Sequence, residues 1–491
     1  MICIQNGLVY DPANGLDGVQ KELWIDDGGR IADPSGAPHE TFDAAGCAVM
    51  AGAIDIHSHI AGEPLDLLRD AGEPVIPTAP RLGTEYARMG YTLAVNAAMP
   101  ALAARRTLLE ETEIPDLDTL NLTWVGENPA LLALASSGDD ALLDQYLAWL
   151  LSVSGGWGLK LIDPLDGAAD GELPYEKLID RLMAANERLR LPHPLHLHHP
   201  FLARPGAYAQ VGATIRRTAG QRLHIAHLQF YGYKRDEKGH LVSAAEELAR
   251  EVNAVKSVTV DAGAVVFGRA AAVTADAGFA KRLGGGKRGF RSALWECDGG
   301  FGVLPLTYAA DSVMGATQFL TGLELMLLID DPSRVFLTTD HPNGGPFTAY
   351  PELIRLLMDR AYREETVSRL APKALSRSGI LGISREYSLY DVACMTRSGP
   401  AKRLGLPDFG HLSPGAAGGA VVYRIGADKA EMFRSPAAVF RGAPHIHAAA
   451  ERPFDAAAIR PRVAPYMGVD FASARPSDAF FQSSGVIREV L

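Results

Sequence analysis

The run AIDIHSHI, residues 53–60, decides the fold, because it combines a short apolar strand pattern with two histidines at its end. His57 and His59 are two residues apart, so on a strand their side chains project from the same face. Both imidazoles can therefore reach one metal ion. Such a pair is common and by itself favours a structural explanation. Its meaning depends on whether similar runs follow it.

Seven further short apolar runs follow, alternating with helix-like segments. They are TLAVNAAM (92–99), LTWVGE (122–127), GLKLI (158–162), PLHLHH (194–199), RLHIAHLQF (222–230), SVTVDAGA (257–264) and RVFLTTD (334–340). This alternation is typical of β/α units in a parallel sheet, and eight strands close a barrel. We predict an α/β fold, a (β/α)8 barrel of the TIM type, with its active site at the carboxyl ends of the strands.

The two ends of the chain have a different pattern, in which short strands are separated by Gly, Asp and Asn turn residues. The segments are MICIQNGLVYD (1–11), ELWIDDGGRIAD (22–33), GHLSPGAAGGAVVYRI (410–425) and AAVFRGAPH (437–445). We predict that both ends build one small β domain. Residues 1–50 would supply its N-terminal part, residues 407–491 its C-terminal part, and residues 51–406 the barrel.

One interval between strand runs, from Asp261 to Arg334, is unusually long. It contains a Gly-rich stretch, residues 283–302, and then an apolar helix candidate, residues 312–329. An elaborated active-site loop would explain the insertion. A structural extension or an oligomer contact explains it equally well.

Composition excludes several classes of protein. The chain has 491 residues, of which 47% are hydrophobic and 21% charged, as expected for a folded globular protein. A formal net charge of −11 argues against nucleic-acid binding, which requires clustered Lys and Arg. Neither a membrane span nor a signal peptide is evident, so a cytoplasmic location is expected. The four cysteines are far apart, which excludes a CxxC metal motif and predicts buried, reduced thiols.

Four further residues lie in later strand runs and can bind metal. His198 and His227 would each supply an imidazole, and Asp340 a carboxylate able to exchange protons with a water. His196 shares the face of His198, but His198 is nearer the strand end and is the preferred candidate. Lys160 would be costly to bury as an unpaired cation. Carboxylation of its amine by carbon dioxide is one way to relieve that cost.

Two His on the first strand, Lys on the fourth, His on the fifth and sixth, and Asp on the eighth resemble the amidohydrolase superfamily pattern. A closer resemblance is to the family that contains the A subunit of formylmethanofuran dehydrogenase and its counterpart in the formyltransferase/hydrolase complex of methylotrophic bacteria. It is carried by AGAIDIHSHIAG, LPHPLHLHHP, IAHLQFYGY, VTVDAGAVVFG, LTGLELMLLIDDPSRV and LTTDHPNGGPFTAYPELI, which extend from about Gly52 to Ile354.

This resemblance implies a function: cleavage of an N-formyl group from a methanofuran-type carrier, releasing formate, in the one-carbon metabolism of formaldehyde oxidation. It also implies a multisubunit complex and two divalent metal ions, with zinc favoured. The implied metal ligands are His57, His59, Lys160, His198, His227 and Asp340. His57, His59 and Asp340 would hold one ion, His198 and His227 the other, and a carboxylated Lys160 would bridge them. Asp340 would be the catalytic acid/base.

Two other functions compete with this interpretation. A cyclic amidase, such as a hydantoinase or dihydroorotase, is disfavoured by LTTDHPNGGPF, and an idle scaffold protein by the presence of all six ligand types. Redox chemistry within this chain conflicts with the absence of cysteine clusters.

The remaining polar candidates have weaker signals. We expect His199 to point away from the site. We expect His193, His224 and His341 to be packing or hydrogen-bonding residues, although His341 could contact substrate. Weak candidates for substrate contact are Asn128, Tyr233, Arg288 and Arg291.

Overall fold

The computed structural model describes residues 1–126, 129–162, 173–274, 295–296 and 302–442. We number the strands in these ranges β1 (Ile2–Gln5), β2 (Leu8–Asp11), β3 (Leu16–Gln20), β4 (Leu23–Ile25), β5 (Ile31–Ala32), β6 (Glu40–Asp43), β7 (Cys47–Ala51), β8 (Ala53–Ser58), β9 (Tyr91–Pro100), β10 (Asp118–Trp124), β11 (Gly158–Ile162), β12 (Leu195–His198), β13 (Leu223–Ile225), β14 (Tyr233–Arg235), β15 (Leu241–Ser243), β16 (Val258–Asp261), β17 (Gly268–Thr274), β18 (Trp295–Glu296), β19 (Gly302–Tyr308), β20 (Val335–Phe336), β21 (Ala420–Arg424) and β22 (Ala438–Phe440).

The α-helices of the described ranges are α1 (Glu63–Asp70), α2 (Ala79–Arg88), α3 (Ala104–Glu111), α4 (Pro129–Ser137), α5 (Asp140–Ser154), α6 (Tyr175–Arg188), α7 (Ala207–Arg217), α8 (Ala245–Ala254), α9 (Val313–Leu328), α10 (Tyr350–Met358), α11 (Arg360–Ser368), α12 (Pro372–Leu375), α13 (Leu389–Ala393), α14 (Gly399–Leu404) and α15 (Lys429–Arg434). None of them has the length and apolar character needed to cross a membrane.

A parallel barrel forms the centre of the molecule. Its eight strands are hydrogen-bonded in the order β20-β16-β13-β12-β11-β10-β9-β8, and each arises from one of the eight predicted runs. A parallel bridge between Ser58 and His341 joins the first strand to the segment after the last. The backbone N–H of His59 donates to the carbonyl of His341 over 2.7 Å at the same seam. The predicted (β/α)8 barrel is therefore confirmed.

Alternation along the strands divides apolar side chains between the two faces of the barrel wall. Leu195 and Leu197 of β12 pack in the cluster that contains the surrounding helices. Ile54 and Ile56 of β8 instead form a separate cluster with Phe336 and with residues of β9 and β10. The register of β8 against β9 shifts between Asp55 and Ser58. Neighbouring residues of a regular strand face opposite sides, so this irregularity is what allows Ile56 and His57 to face the same side.

The chain ends form two further sheets, as the sequence predicts. A five-stranded sheet has the order β22-β21-β7-β2-β3, so strands from the C-terminal region pair with strands from the N-terminal region. A four-stranded sheet has the order β5-β4-β1-β6. The buried Arg397 donates to the carbonyl of Ala51 and to the hydroxyl of Tyr423, which ties the barrel to this sheet. The domain boundaries at 50/51 and 406/407 stay predictions, and residues 443–491 lie outside the described ranges.

The long interval after Asp261 has two parts. The antiparallel strands β17 and β19, with β18 beside β19, form a small sheet that we call the arch. Most of the Gly-rich stretch, residues 283–302, lies outside the described ranges. The predicted apolar helix is present as α9, and the hydroxyl of Ser312 caps it by accepting from the Gly315 N–H. The prediction of buried thiols holds for Cys3 and Cys47, whereas Cys394 is only partly buried.

Candidate metal centre

A cavity opens at the carboxyl ends of the barrel strands, with about 560 Å³ of empty space including the part open to solvent. All six predicted site residues line it: His57, His59, Lys160, His198, His227 and Asp340. They come from five strands or their immediate ends, β8, β11, β12, β13 and β20. The tertiary structure thus brings together residues that the sequence spreads over almost 300 positions, as expected for active sites of this fold.

Three of these side chains offer one compact group of donor atoms. His57 Nε2 lies 3.1 Å and His59 Nε2 3.3 Å from Asp340 Oδ1. The ligand atoms of the three residues lie within 4.8 Å of one another and all are buried. Imidazole nitrogens and a carboxylate oxygen are ligands that zinc and other divalent ions accept.

A second pair of donors faces the same cavity. His227 Nε2 lies 3.0 Å from His198 Nδ1. Burial, and then the neighbouring His198, lower the pKa of His227 well below its usual value, so this imidazole is neutral and its lone pair is available. The residues therefore fit divalent metal ions, although which of them bind metal stays a prediction.

The backbone at His227 is unusual. Its φ is 36°, in the left-handed region that non-glycine residues rarely adopt. Gly263, with a φ of 56°, packs directly against His227. A side chain at position 263 would not fit, because its Cβ would lie 2.3 Å from the Cβ of His227. Asp340 has a φ of 49°. Strain of this kind persists where surrounding contacts over-determine the geometry, commonly at active sites.

Lys160 lies beside the first group of donors, with Nζ 3.4 Å from His57 Nε2. Its side chain is only 2% exposed. Burial lowers the pKa of Lys160 to about 8, although Asp340 and Asp261 oppose this effect. A larger share of the amine is therefore neutral near physiological pH than for an exposed lysine.

Asp340 is held in its charged form. Burial by itself would raise the pKa of its carboxyl, but His57 and His59 stabilise the anion and lower the pKa well below the usual value. For His57, burial favours the neutral ring, but Asp261 and Asp340 outweigh it and raise the pKa to about 9.

Asp261 is a site residue that the sequence analysis did not single out. Its Oδ2 lies 2.8 Å from His57 Nδ1 and 3.1 Å from His224 Nε2. Its Oδ1 accepts from the backbone N–H of His227 and from the hydroxyl of Thr338, both over 2.9 Å. One fully buried carboxylate thus orients a residue of each donor group. The signal was available, because Asp261 is the last residue of β16 within the seventh run, and Asp340 ends the eighth run.

Three other histidines, His193, His196 and His224, lie beneath the cavity and do not line it; we call them the lower histidines. His193 Nε2 is 3.1 Å from His196 Nδ1, and His196 Nε2 is 3.3 Å from His57 Nδ1. His196, His57 and Asp261 could also be grouped as metal donors. Of these three residues only His57 lines the cavity, and its Nδ1 lies 2.8 Å from Asp261 while its Nε2 faces Asp340. His198 lines the cavity and His196 does not, although which of them binds metal stays a prediction.

The remaining candidates lie away from the cavity or outside the described ranges. His199 points outward, with Nε2 2.9 Å from Thr214 Oγ1 on α7. His341 is buried against Phe347, and Tyr233 is buried away from the cavity lining. Asn128, Arg288 and Arg291 fall on residues that are not described.

The rest of the cavity wall comes largely from apolar side chains and from the arch. The arch supplies Ala272, Val273, Thr274, Leu306 and Tyr308. The insertion after the seventh strand is therefore part of the site, which favours the active-site loop over the other two explanations. Asn343, three residues after Asp340, also lines the cavity and was missed in the sequence.

Comparison with known proteins agrees with this geometry. The model of the amidohydrolase family matches residues 40–442. The A subunit of the formyltransferase/hydrolase complex Fhc of Methylorubrum extorquens is 38% identical over 472 residues, 88% of this chain and 85% of that protein. Protein FwdA of Methanocaldococcus jannaschii is 33% identical over 470 residues, 86% of this chain and 82% of that protein.

A solved structure gives the same result in three dimensions. The crystal structure of the formyltransferase/hydrolase complex (FhcABCD) from Methylorubrum extorquens with methylofuran contains a chain that is 35% identical, with a TM-score of 0.88. The match covers 96% of this chain and 95% of that one. The resemblance found in the sequence is therefore confirmed. The chain is a metal-dependent hydrolase of the amidohydrolase family, and within that family it belongs with the A subunits of formyltransferase/hydrolase complexes.

Proposed function

We propose that this chain hydrolyses the N-formyl group of a methanofuran-type carrier and releases formate, as the hydrolase component of a formyltransferase/hydrolase complex. The observation that carries the proposal is the convergence of six donor side chains on one cavity. It occurs in a chain similar over most of its length to one component of such a complex, and the related crystal structure contains methylofuran. The reaction belongs to one-carbon metabolism, and its expected location is the cytoplasm.

The proposed metal centre is binuclear. His57, His59 and Asp340 would hold one divalent ion, and His198 and His227 would hold the other. Carboxylation of Lys160 on Nζ would replace a costly buried cation by an anionic ligand. Zinc is the favoured metal for this set of nitrogen and oxygen ligands. Such ions supply Lewis-acid polarisation of the formamide carbonyl and acidification of a water molecule.

Asp340 carries the proton in this reaction. Its carboxylate lies in the cavity among the other donors, where it would accept a proton from the attacking water. A bond forms between that water oxygen and the formyl carbon, and the bond from the formyl carbon to nitrogen breaks. Asp340 then gives the proton to the leaving nitrogen, so the products are formate and the free amine, with no change in oxidation state.

The surroundings of Asp340 favour a linear formamide. The rest of the cavity lining is mainly apolar and includes Ile162, Leu202 and Phe230, which suits a small, uncharged group next to the reacting carbon. A formyl carbon carries only hydrogen besides oxygen and nitrogen, so it needs little room. The remaining length of the carrier extends toward the open side of the cavity.

The test uses the full chain purified with whatever subunits accompany it, and formate release from N-formyl-methylofuran. We expect about two metal ions per chain, carbamate density or mass at Lys160, and turnover that Asp340→Asn lowers by about 100-fold or more. Asp311→Asn, at an exposed aspartate outside the cavity lining, is the matched control and should leave turnover unchanged.

Other results would contradict the proposal. Equal turnover in the Asp340→Asn variant would reject its catalytic role. Turnover of hydantoin or dihydroorotate, without formate release, would assign a cyclic amidase instead. A metal-free, inactive complex with unmodified Lys160 would leave only a scaffold function.

A further inference from the structure

We propose that Asn343 is a positioning residue that couples the arch to the carboxylate of Asp340. The inference rests on the proposed function, because it concerns the residue that carries the proton there. Asn343 lines the cavity between the two features it connects. Its contacts divide into those with Asp340 and those with the arch.

Toward Asp340, Asn343 makes two hydrogen bonds. Its side-chain Nδ2 donates to Asp340 Oδ1 over 3.1 Å, and its backbone N–H donates to the carbonyl of Asp340 over 2.6 Å. The second bond closes the tight turn that follows Asp340, whose φ of 49° is unfavourable for an aspartate. Asn343 therefore restrains both the backbone and the side chain of this residue.

The side-chain bond selects one of the two carboxylate oxygens. Oδ1 also faces His57 Nε2 and His59 Nε2, so three nitrogens lie around it. All three contacts are made to Oδ1 rather than to Oδ2. With Oδ1 fixed, Oδ2 is the oxygen left to take up and return a proton. Loss of the Asn343 amide would allow the carboxylate to rotate and would weaken that division of roles.

Toward the arch, Asn343 is bound from both strands. Its Oδ1 accepts from the backbone N–H of Val273 on β17 over 2.8 Å. Its carbonyl accepts from the hydroxyl of Tyr308 on β19 over 2.9 Å. The neighbouring Pro342 carbonyl also accepts from the N–H of Ala271 over 3.1 Å. The arch therefore fixes the plane of the Asn343 amide, and that plane determines where Nδ2 points.

Only an amide can make both side-chain contacts at once. It accepts from Val273 through oxygen and donates to Asp340 through nitrogen, whereas a carboxylate at position 343 could accept but not donate. Asn343→Asp would also place a second negative charge beside Asp340. The two variants Asn343→Ala and Asn343→Asp thus remove the contact in different ways while leaving all proposed metal ligands in place.

The experiment measures kcat and KM for N-formyl-methylofuran, together with metal content, for the purified full chain and its accompanying subunits. For Asn343→Ala we expect kcat to fall about 10- to 100-fold, the scale expected for a misplaced catalytic group, with KM within about threefold. Two metals per chain should remain. Asn343→Asp should lower kcat at least as far, and Thr307→Val, at an exposed site on the same arch strand, should change neither constant.

A double-mutant comparison separates coupling from a local effect. Tyr308→Phe should lower kcat severalfold in the wild-type background and have less effect in Asn343→Ala, because the side-chain bond to Asp340 that Tyr308 helps to orient is already lost there. Fully additive effects would overturn the coupling. Unchanged kcat in Asn343→Ala, or loss of metal from it, would overturn the positioning role. A wild-type chain that releases no formate would instead reject the proposed function, so the two failures are distinguishable.

Discussion

Two layers of histidines lie inside one barrel and differ in what their nitrogens face. The mouth histidines, His57, His59, His198 and His227, line the cavity. The lower histidines are packed beneath them, where burial lowers the pKa of each: His224 to about 4, His193 and His196 well below the usual value. The histidines of both layers are buried. The layers differ in whether the histidines line the cavity or lie beneath it.

In the lower layer each described ring nitrogen contact is a hydrogen bond to protein. His224, for example, bonds Thr259 through Nδ1 and Asp261 through Nε2. In the mouth layer, nitrogens of separate residues also face one another or a shared carboxylate oxygen at hydrogen-bond distance, but these residues line the cavity. Donors that converge beside an open cavity can hold a ligand. Histidines beneath the cavity contribute to the core, and those that line it can form a site.

The largest expected effect comes from breaking the mouth layer. His227→Ala removes one of the two donors that face each other, and we expect formate release to fall on the order of 1000-fold, about 4 kcal/mol in barrier. Metal content should fall from two ions to about one. Metal analysis of the purified variant and single-turnover kinetics check this. Retention of both ions would show that His227 is not a ligand.

Asp261 connects the two layers, so its replacement sharpens the comparison. Asp261→Asn keeps the shape but removes the charge that orients His57, and we expect metal affinity to fall about 10- to 100-fold. Competition with a chelator measures the affinity, and visible spectra of the cobalt-substituted protein report the ligand geometry. Wild-type affinity in this variant would show that His57 is oriented without the carboxylate.

Lys160 provides a test that depends on pH. Only the neutral amine reacts with carbon dioxide, so with a pKa of about 8 its carboxylation should rise as the pH increases through 8. In the metal-free chain at constant dissolved carbon dioxide, the rate should be roughly tenfold higher at pH 9 than at pH 7. Isotopically labelled carbon dioxide and mass spectrometry follow the modification. Lys160→Gln is the control and should take up no label.

The smallest effect on function is expected in the lower layer. His193→Gln removes bonds to His196 and to the carbonyl of Arg403, at a cost of about 1 kcal/mol in the free energy of unfolding. Metal content should stay at two ions, and kcat within about threefold of wild type. Chemical denaturation and metal analysis provide the two readings. Loss of metal here would remove the distinction between the layers.

Much of this site could be predicted from the sequence, because strand periodicity fixes which residues share a face. Strand periodicity placed His57, Lys160 and Asp340 within or at the end of predicted strand runs. It also predicted the eight strands of the barrel. It could not separate His196 from His198 by parity, since both face inward. Two residues along a strand span roughly 7 Å, and that distance alone places His196 in the layer below.

The contacts of Asp261 and Asn343 could not be predicted, for a different reason. Both depend on long-range neighbours: His57 lies 204 positions before Asp261, and Val273 lies 70 positions before Asn343. The position of the arch could not be predicted either, because the sequence of an insertion does not specify which part of the barrel it packs against. Its role became clear only where its residues line the cavity.

The sequence by itself determined the order of elements, the pairing of both chain ends into small sheets, and the types of side chain offered to the cavity. These follow from local periodicity and from the closure of eight parallel strands. The tertiary structure alone decided which imidazoles line the cavity and which lie beneath it. It also decided that Asn343 connects Asp340 to the arch. Those outcomes depend on depth and distance in the folded barrel, which local sequence patterns do not specify.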